Sequence, residues 1–236
     1  MLAKSLCLAA VVSAVTASVA FAATINGTPG DDKLVGTTSA DTINALAGDD
    51  KVIALGGNDI VKGGSGDDVL YGDGTCPPGS TNYDYCSTGE SSGDGNDTID
   101  GEDGNDAVFG QGGKDNIKGG GGVNYLDGGS GDDTITGGDS SAGDVIVGGT
   151  GADTINAGKG VDAVDGGAGA DTIHGNDGSD AINGGSGQDK LYGDAGNDVI
   201  YSRDGEKDTI DCGSGDDHVF ADRSDSINRN CEHVSY

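Results

Sequence analysis

The chain has 236 residues, of which 48 are glycine and only 4% aromatic, with no tryptophan and a formal net charge of -29. So acidic a surface argues against nucleic acid and anionic membranes as partners. So little large apolar material describes a chain that stays disordered unless something neutralises its carboxylates.

Residues 1–22 read as a secretory signal peptide. Lys4 supplies the positive start, Leu6 to Ala20 the apolar run, and Ala20-Phe21-Ala22 an A-x-A cleavage site before Ala23. A membrane anchor is the rival reading. It is disfavoured by the short run, by Ser13, Thr16 and Ser18 within it, and by the strand Thr24-Ile25-Asn26 that follows directly. Cys7 lies too early, and in the wrong local sequence, for lipoprotein processing. The mature chain is expected to be extracellular, with no integral membrane segment.

Beyond residue 26 a nine-residue phrase, Gly-Gly-x-Gly-x-Asp-x-aliphatic-x, recurs almost to the C-terminus. A first block, 23–71, ends in GGSGDDVLY (Gly63 to Tyr71). The main block, 92–220, includes GGSGDDTIT from Gly128, GGTGADTIN from Gly148, GGAGADTIH from Gly166 and GGSGQDKLY from Gly184. The sixth position holds Asp32, Asp41, Asp50, Asp59, Asp68, Asp97, Asp106, Asp115, Asp133, Asp144, Asp153, Asp162, Asp171, Asp180, Asp189, Asp198, Asp208 and Asp217, with Asn124 as the one substitution. The eighth runs from Leu34 to Val219 and is aliphatic throughout. A merely Gly/Asp-rich tract would not lock these two residue types together through the whole chain.

Between the blocks, residues 72–91 form an insertion in which Cys76 and Cys86 bracket TCPPGSTNYDYC, with Tyr83 and Tyr85 inside. The last stretch, 221–236, reads as a cap. The chain's arginines, Arg203, Arg223 and Arg229, gather near it, and open solenoid ends need covering. Removing the signal leaves four cysteines, an even number in an oxidising compartment. Three connectivities are open; the local pairs Cys76 with Cys86 and Cys212 with Cys231 are favoured because a solenoid keeps distant segments apart. A zinc site is the weaker alternative, since no CxxC spacing exists and His174, His218 and His233 are scattered.

A fixed short period predicts a solenoid, in which each unit buries its apolar side only against its neighbours. Three residues such as Thr134, Ile135 and Thr136 make a minimal strand with the central side chain inward. Six more make a glycine-rich turn. Two repeats give an 18-residue coil and two facing parallel sheets. Sixth-position aspartates then stand in columns: Asp32, Asp50 and Asp68 in one, Asp41 and Asp59 in the other, resuming beyond the insertion. Neighbours in a column stand about 4.8 Å apart, where carboxylates repel. A hard divalent cation taking six to eight oxygens removes that repulsion, so the spacing points to calcium rather than zinc or copper. One buried aliphatic side chain per nine residues does not offset the entropy of ordering a glycine-rich chain, so metal binding is expected to drive folding.

The repeat resembles the RTX, or haemolysin-type, calcium-binding nonapeptide family from Thr24 to the C-terminus. The resemblance implies an all-β, right-handed parallel β-roll with several calcium ions between its turns, held by the sixth-position aspartates. DTIDCGSGDDHVFADRSDSINRNCEHV looks like the disulfide-closed ending of small secreted bacterial members. Asn124, the two-residue expansion at Asp139 to Ala142 and the divergent turn GTTSAD depart from the pattern.

Members of that family often carry the roll behind a protease, lipase, epimerase or toxin domain. This sequence contains no HExxH, no G-x-S-x-G elbow and no Walker lysine; Gly158-Lys159-Gly160 is a repeat turn. Its aspartates follow the calcium register rather than the spacing of a glycosidase pair. Glycine-rich flanks exclude the helices of an EF-hand. Ice binding would need a regular Thr/Asn row, and the fifth position instead varies through Asp31, Ala40, Asn58, Lys114 and Val123. The expected function is a secreted calcium-binding protein without catalysis. The alternatives are a rigid adhesive or structural rod contacting cell-surface or matrix glycans or proteins, for instance through Tyr83 and Tyr85, and an accessory to a separate secreted hydrolase.

Overall fold

The computed structural model describes residues 21–76, 86–88 and 94–236. The expected signal segment up to residue 20, together with Tyr83 and Tyr85, lies outside them. Over the described residues 22 short strands alternate between two parallel sheets of 11 strands each. No helix among these residues is long and apolar enough to cross a membrane.

The strand Thr134–Gly138 shows how nine residues make half a coil. Its side chains alternate between partly exposed and buried, so Ile135 and the first glycine of the next repeat, Gly137, point inward. Ile135 pairs with Ile117 on one side and Ile155 on the other, and every rung stacks aliphatic residue on aliphatic residue. The result is a thin continuous core from Ile43 to Val219 between the sheets. Ile25 and Leu34 at one end, and Ile227 and Val234 at the other, are only partly buried because each has a neighbour on one side alone.

Most turns take a left-handed backbone at the second repeat position. Glycine serves there at Gly64, Gly129 and Gly167, among others. Among the described residues the non-glycine residues with positive φ are Leu46, Leu55, Glu102, Gln111, Asn176 and Asp194, and all of them hold that same position. At these six places the period imposes the conformation on a residue type that resists it.

Departures from the 18-residue coil are absorbed in turns and never reach the core. Across the insertion Val61 pairs with Ile99 and Leu70 with Val108, so the chain rejoins the roll in register. Thr75 and Ser87 exchange backbone hydrogen bonds of 2.8 and 2.7 Å at its base, and Cys76 is bonded to Cys86 with Cα atoms 4.2 Å apart. The expansion at Asp139 to Ala142 leaves Leu126 paired with Ile146. At the C-terminal end Ser226–Ile227 and His233–Ser235 add one strand to each sheet, and Cys212 is bonded to Cys231.

Candidate metal centre

The sixth residue of each repeat ends the turn and points inward immediately before the next strand. The consequence is an unusual degree of burial for charge: Asp50, Asp97, Asp115, Asp171 and Asp198 are each exposed by 2% or less. Isolated buried carboxylates are costly unless their oxygens are satisfied. One oxygen of each is. Oδ1 of Asp50 accepts the backbone N–H of Asp32 at 2.7 Å, Oδ1 of Asp68 accepts from Asp50 at 2.8 Å, and Oδ1 of Asp106 accepts from Asp68 at 2.9 Å. The second column runs from Asp41 through Asp59, Asp97, Asp115 and Asp133 in the same way. Both ladders cross the insertion: Asp59 and Asp97 bond although 38 residues apart.

The other oxygen is unsatisfied. Oδ2 has no hydrogen-bond partner on Asp50, Asp59, Asp68, Asp97, Asp106, Asp115, Asp133, Asp144, Asp153, Asp162, Asp171, Asp180, Asp189, Asp198, Asp208 or Asp217. In repeats that begin with glycine, Oδ2 stands beside that inward first position, in most of them together with a carbonyl of the next coil. A Cβ placed on Gly166 would lie 2.7 Å from Oδ2 of Asp171 and 2.5 Å from the carbonyl oxygen of Gly184. On Gly175 it would lie 2.6 Å from Oδ2 of Asp180 and 2.8 Å from the carbonyl oxygen of Gly193. Repeats with alanine in this position, Ala45, Ala54 and Ala157, fill that space with a methyl group and still leave Oδ2 unpaired.

Burial dominates the electrostatics. It pushes Asp59, Asp68, Asp115, Asp153, Asp180 and Asp189 up to about 7. Asp106, Asp133, Asp198 and Asp208 rise to about 6, and Asp97 to about 9. Desolvation is the largest cause at each, the N–H donated to Oδ1 opposes it, and repulsion from neighbouring carboxylates comes after both. The repulsion that the column spacing suggests is therefore real but secondary.

These residues fit a hard cation. The groups at hand are carboxylate and carbonyl oxygens, which suit calcium and not zinc, and each orphaned Oδ2 is a buried acceptor needing a positive partner. Among the described residues no three Asp, Glu, His or Cys side chains converge on one point. The oxygens beside each orphaned Oδ2 are therefore mainly turn carbonyls, such as that of Gly184 near Asp171. The four described cysteines are tied up in disulfides, and His174 and His233 pair instead with Asp194 and Asp216 at 2.9 and 2.8 Å.

Three acidic residues were not singled out by the repeat pattern. Oδ1 of Asp225 accepts the N–H of Asp208 and Oε2 of Glu232 that of Asp217, each at 3.2 Å, so these two residues end the two ladders. Both keep the two-residue step to an aliphatic residue, Ile227 and Val234, a signal sufficient to find them. Asp73 sits buried where the insertion leaves the roll, is pushed up to about 8 by burial, and accepts the N–H of Gly95. It occupies a second position and has no sequence signature.

The model of the RTX calcium-binding nonapeptide repeat matches residues 26–61, 53–74, 91–117, 109–141, 140–173 and 174–206, together more than half of the chain. A comparison with curated proteins finds no match. On the repeat and the roll it builds, the chain belongs to the RTX calcium-binding nonapeptide repeat family.

Proposed function

We propose that this is a secreted, non-catalytic calcium-binding protein that leaves the cell through its N-terminal signal segment and folds on meeting extracellular calcium. The observation that carries the reading is the row of buried, unpartnered Oδ2 atoms along both ladders. A metal-free roll would hold these carboxylates dry and half-satisfied, which favours the unfolded chain, where water solvates them. Bound calcium would supply the missing positive charge, and its binding free energy becomes folding free energy. The ligands are the ladder aspartates through Oδ2, with turn carbonyls completing each shell. Circular dichroism of the mature chain during calcium titration tests the proposal. Disorder in chelator and a cooperative gain of β signal with calcium are expected; full β signal in chelator at neutral pH overturns it.

A second reading, a rigid rod for adhesion, is favoured by one asymmetry. The outer face of one sheet carries most of the stacked rings among the described residues, including Tyr71 with Phe109 and Tyr201 with Phe220, whose centroids are 4.8 and 5.0 Å apart, against His174 with Tyr192 on the other. Tyr125, Val145 and Tyr201 remain substantially exposed on that face. Binding of the calcium-loaded protein to surface or matrix glycans, lost on substituting Tyr125 and Tyr201, would establish it.

A further inference from the structure

The ladders are not uniform, and the departures fall at particular places. Oδ2 of Asp32 accepts the backbone N–H of Thr28, and Oδ2 of Asp41 that of Thr37, both at 2.5 Å. Oδ1 of Asp41 also accepts the Thr37 hydroxyl at 3.1 Å. These two repeats carry a β-branched residue at the second position, where left-handed backbone is strongly disfavoured, and neither Thr28 nor Thr37 has positive φ. Their N–H groups instead turn onto the carboxylate that stands bare in the interior repeats.

The opposite end is closed by different donors with the same result. Oδ2 of Asp225 accepts the N–H of Asp222 at 2.7 Å and the Ser202 hydroxyl at 3.1 Å, while its Oδ1 serves Asp208. Within the main block the substitution Asn124 acts alike. Its Oδ1 accepts the N–H of Asp106 at 2.9 Å, which fixes the amide orientation and points Nδ2 where every neighbour presents Oδ2. Nδ2 lies 3.5 Å from the Gly121 carbonyl, and a Cβ on Gly119 would meet it at 2.7 Å. An amide nitrogen there donates and cannot ligate a cation.

Resting on the calcium reading above, we infer that the roll is metal-bound only at its interior turns. At Asp32, Asp41, Asn124 and Asp225 the protein's own N–H and O–H groups stand in for calcium. The ends are capped by hydrogen bonds that need no metal, and Asn124 sets a metal-free step within one column. The first coil is then a template that does not depend on the ion whose binding the later coils require.

Metal analysis of the mature full-length chain after equilibrium dialysis against calcium tests this. The variants are the terminal pair Asp32→Asn with Asp41→Asn, the interior pair Asp162→Asn with Asp171→Asn, and Asn124→Asp. The terminal pair should bind as much calcium as the unaltered chain, the interior pair less, and Asn124→Asp more. A gain of calcium cannot arise from misfolding, so the third variant keeps the test decisive. A terminal pair that loses as much calcium as the interior pair, or an Asn124→Asp chain that gains none, overturns the inference while leaving the calcium reading intact. An unaltered chain that binds no calcium overturns the calcium reading itself.

Discussion

The backbone N–H of Asp162 donates to Oδ1 of Asp180 at 2.8 Å, and Oδ1 of Asp162 accepts from Asp144 at 2.6 Å. In the interior repeats the duties of the two oxygens are therefore separable, since Oδ1 joins coils through the backbone whereas Oδ2 is left without a hydrogen-bond partner and is the proposed calcium ligand.

Substitutions at Asp162 should separate these duties. Asp162→Asn keeps an acceptor for the Asp144 N–H but places an amide where Oδ2 stood, so it should bind less calcium while remaining foldable at higher calcium. Asp162→Ala also strands a buried N–H, adding a penalty of about 1–3 kcal/mol. Urea unfolding in saturating calcium should rank alanine clearly below asparagine. Equal stability of the two would mean that Oδ1 contributes nothing to joining coils.

Much of this was legible because one period controls both duties. The aliphatic eighth position gave both sheets, and the sixth gave both columns. The join between Asp59 and Asp97 was hidden by the insertion, which obscures the register in the sequence but not in space. Asp225 and Glu232 escaped because their distance from Asp208 and Asp217 shrinks to 17 and 15 residues as the last coils shorten. The division of labour between Oδ1 and Oδ2 is illegible in principle, since a repeat pattern places a carboxylate inward without saying which oxygen meets an N–H. For the same reason the divergent turn GTTSAD does not reveal in sequence that Thr37 is a donor, and nothing marks Thr28 as one.

Acidity should substitute in part for calcium. The folded-state values of Asp59, Asp115, Asp153, Asp180 and Asp189 lie near 7 and that of Asp97 near 9, all above the ordinary 3.8. Raised carboxylates contribute stability that is fully present below the unfolded value and lost as pH rises through the folded one. In chelator, β signal should be greatest near pH 4 and fall from there as pH rises through about 7, with the Asp97 contribution lost by about 9. Calcium uptake at pH 6 should release protons into weakly buffered solution. Metal-free ellipticity that does not change from pH 4 to 9 would contradict this.

Leu46 offers a stabilising change. It holds the left-handed second position with φ 86° and is 47% exposed, so it pays for its backbone with little burial in return. Asn176 occupies the equivalent place at φ 68°, where asparagine is better tolerated. Leu46→Asn should raise stability in saturating calcium by about 0.5–1 kcal/mol. A lower urea midpoint would show that Leu46 is held by packing rather than forced by the period.

The two disulfides should differ in consequence because they close different things. Cys76 and Cys86 join the arms of a loop that has already left the roll, and the register between Leu70 and Val108 is kept by strand pairing around it. Cys212 is fully buried at a first position and ties the last turn to Cys231, between the two terminal strands. Nδ2 of Asn228 and of Asn230 donate to Asp211 at 2.8 and 2.5 Å, so that segment keeps some anchorage without the bond. Replacing Cys212 and Cys231 with serine should therefore fray the terminal strands, raise the calcium needed for folding and expose strand edges to association, at a cost of about 2–4 kcal/mol. The equivalent change at Cys76 and Cys86 should leave the calcium midpoint nearly unmoved. Calcium titrations followed by circular dichroism, with sedimentation to detect association, compare the two variants directly. If the loop variant loses cooperativity and the terminal variant keeps it, the loop disulfide rather than the terminal one secures the roll.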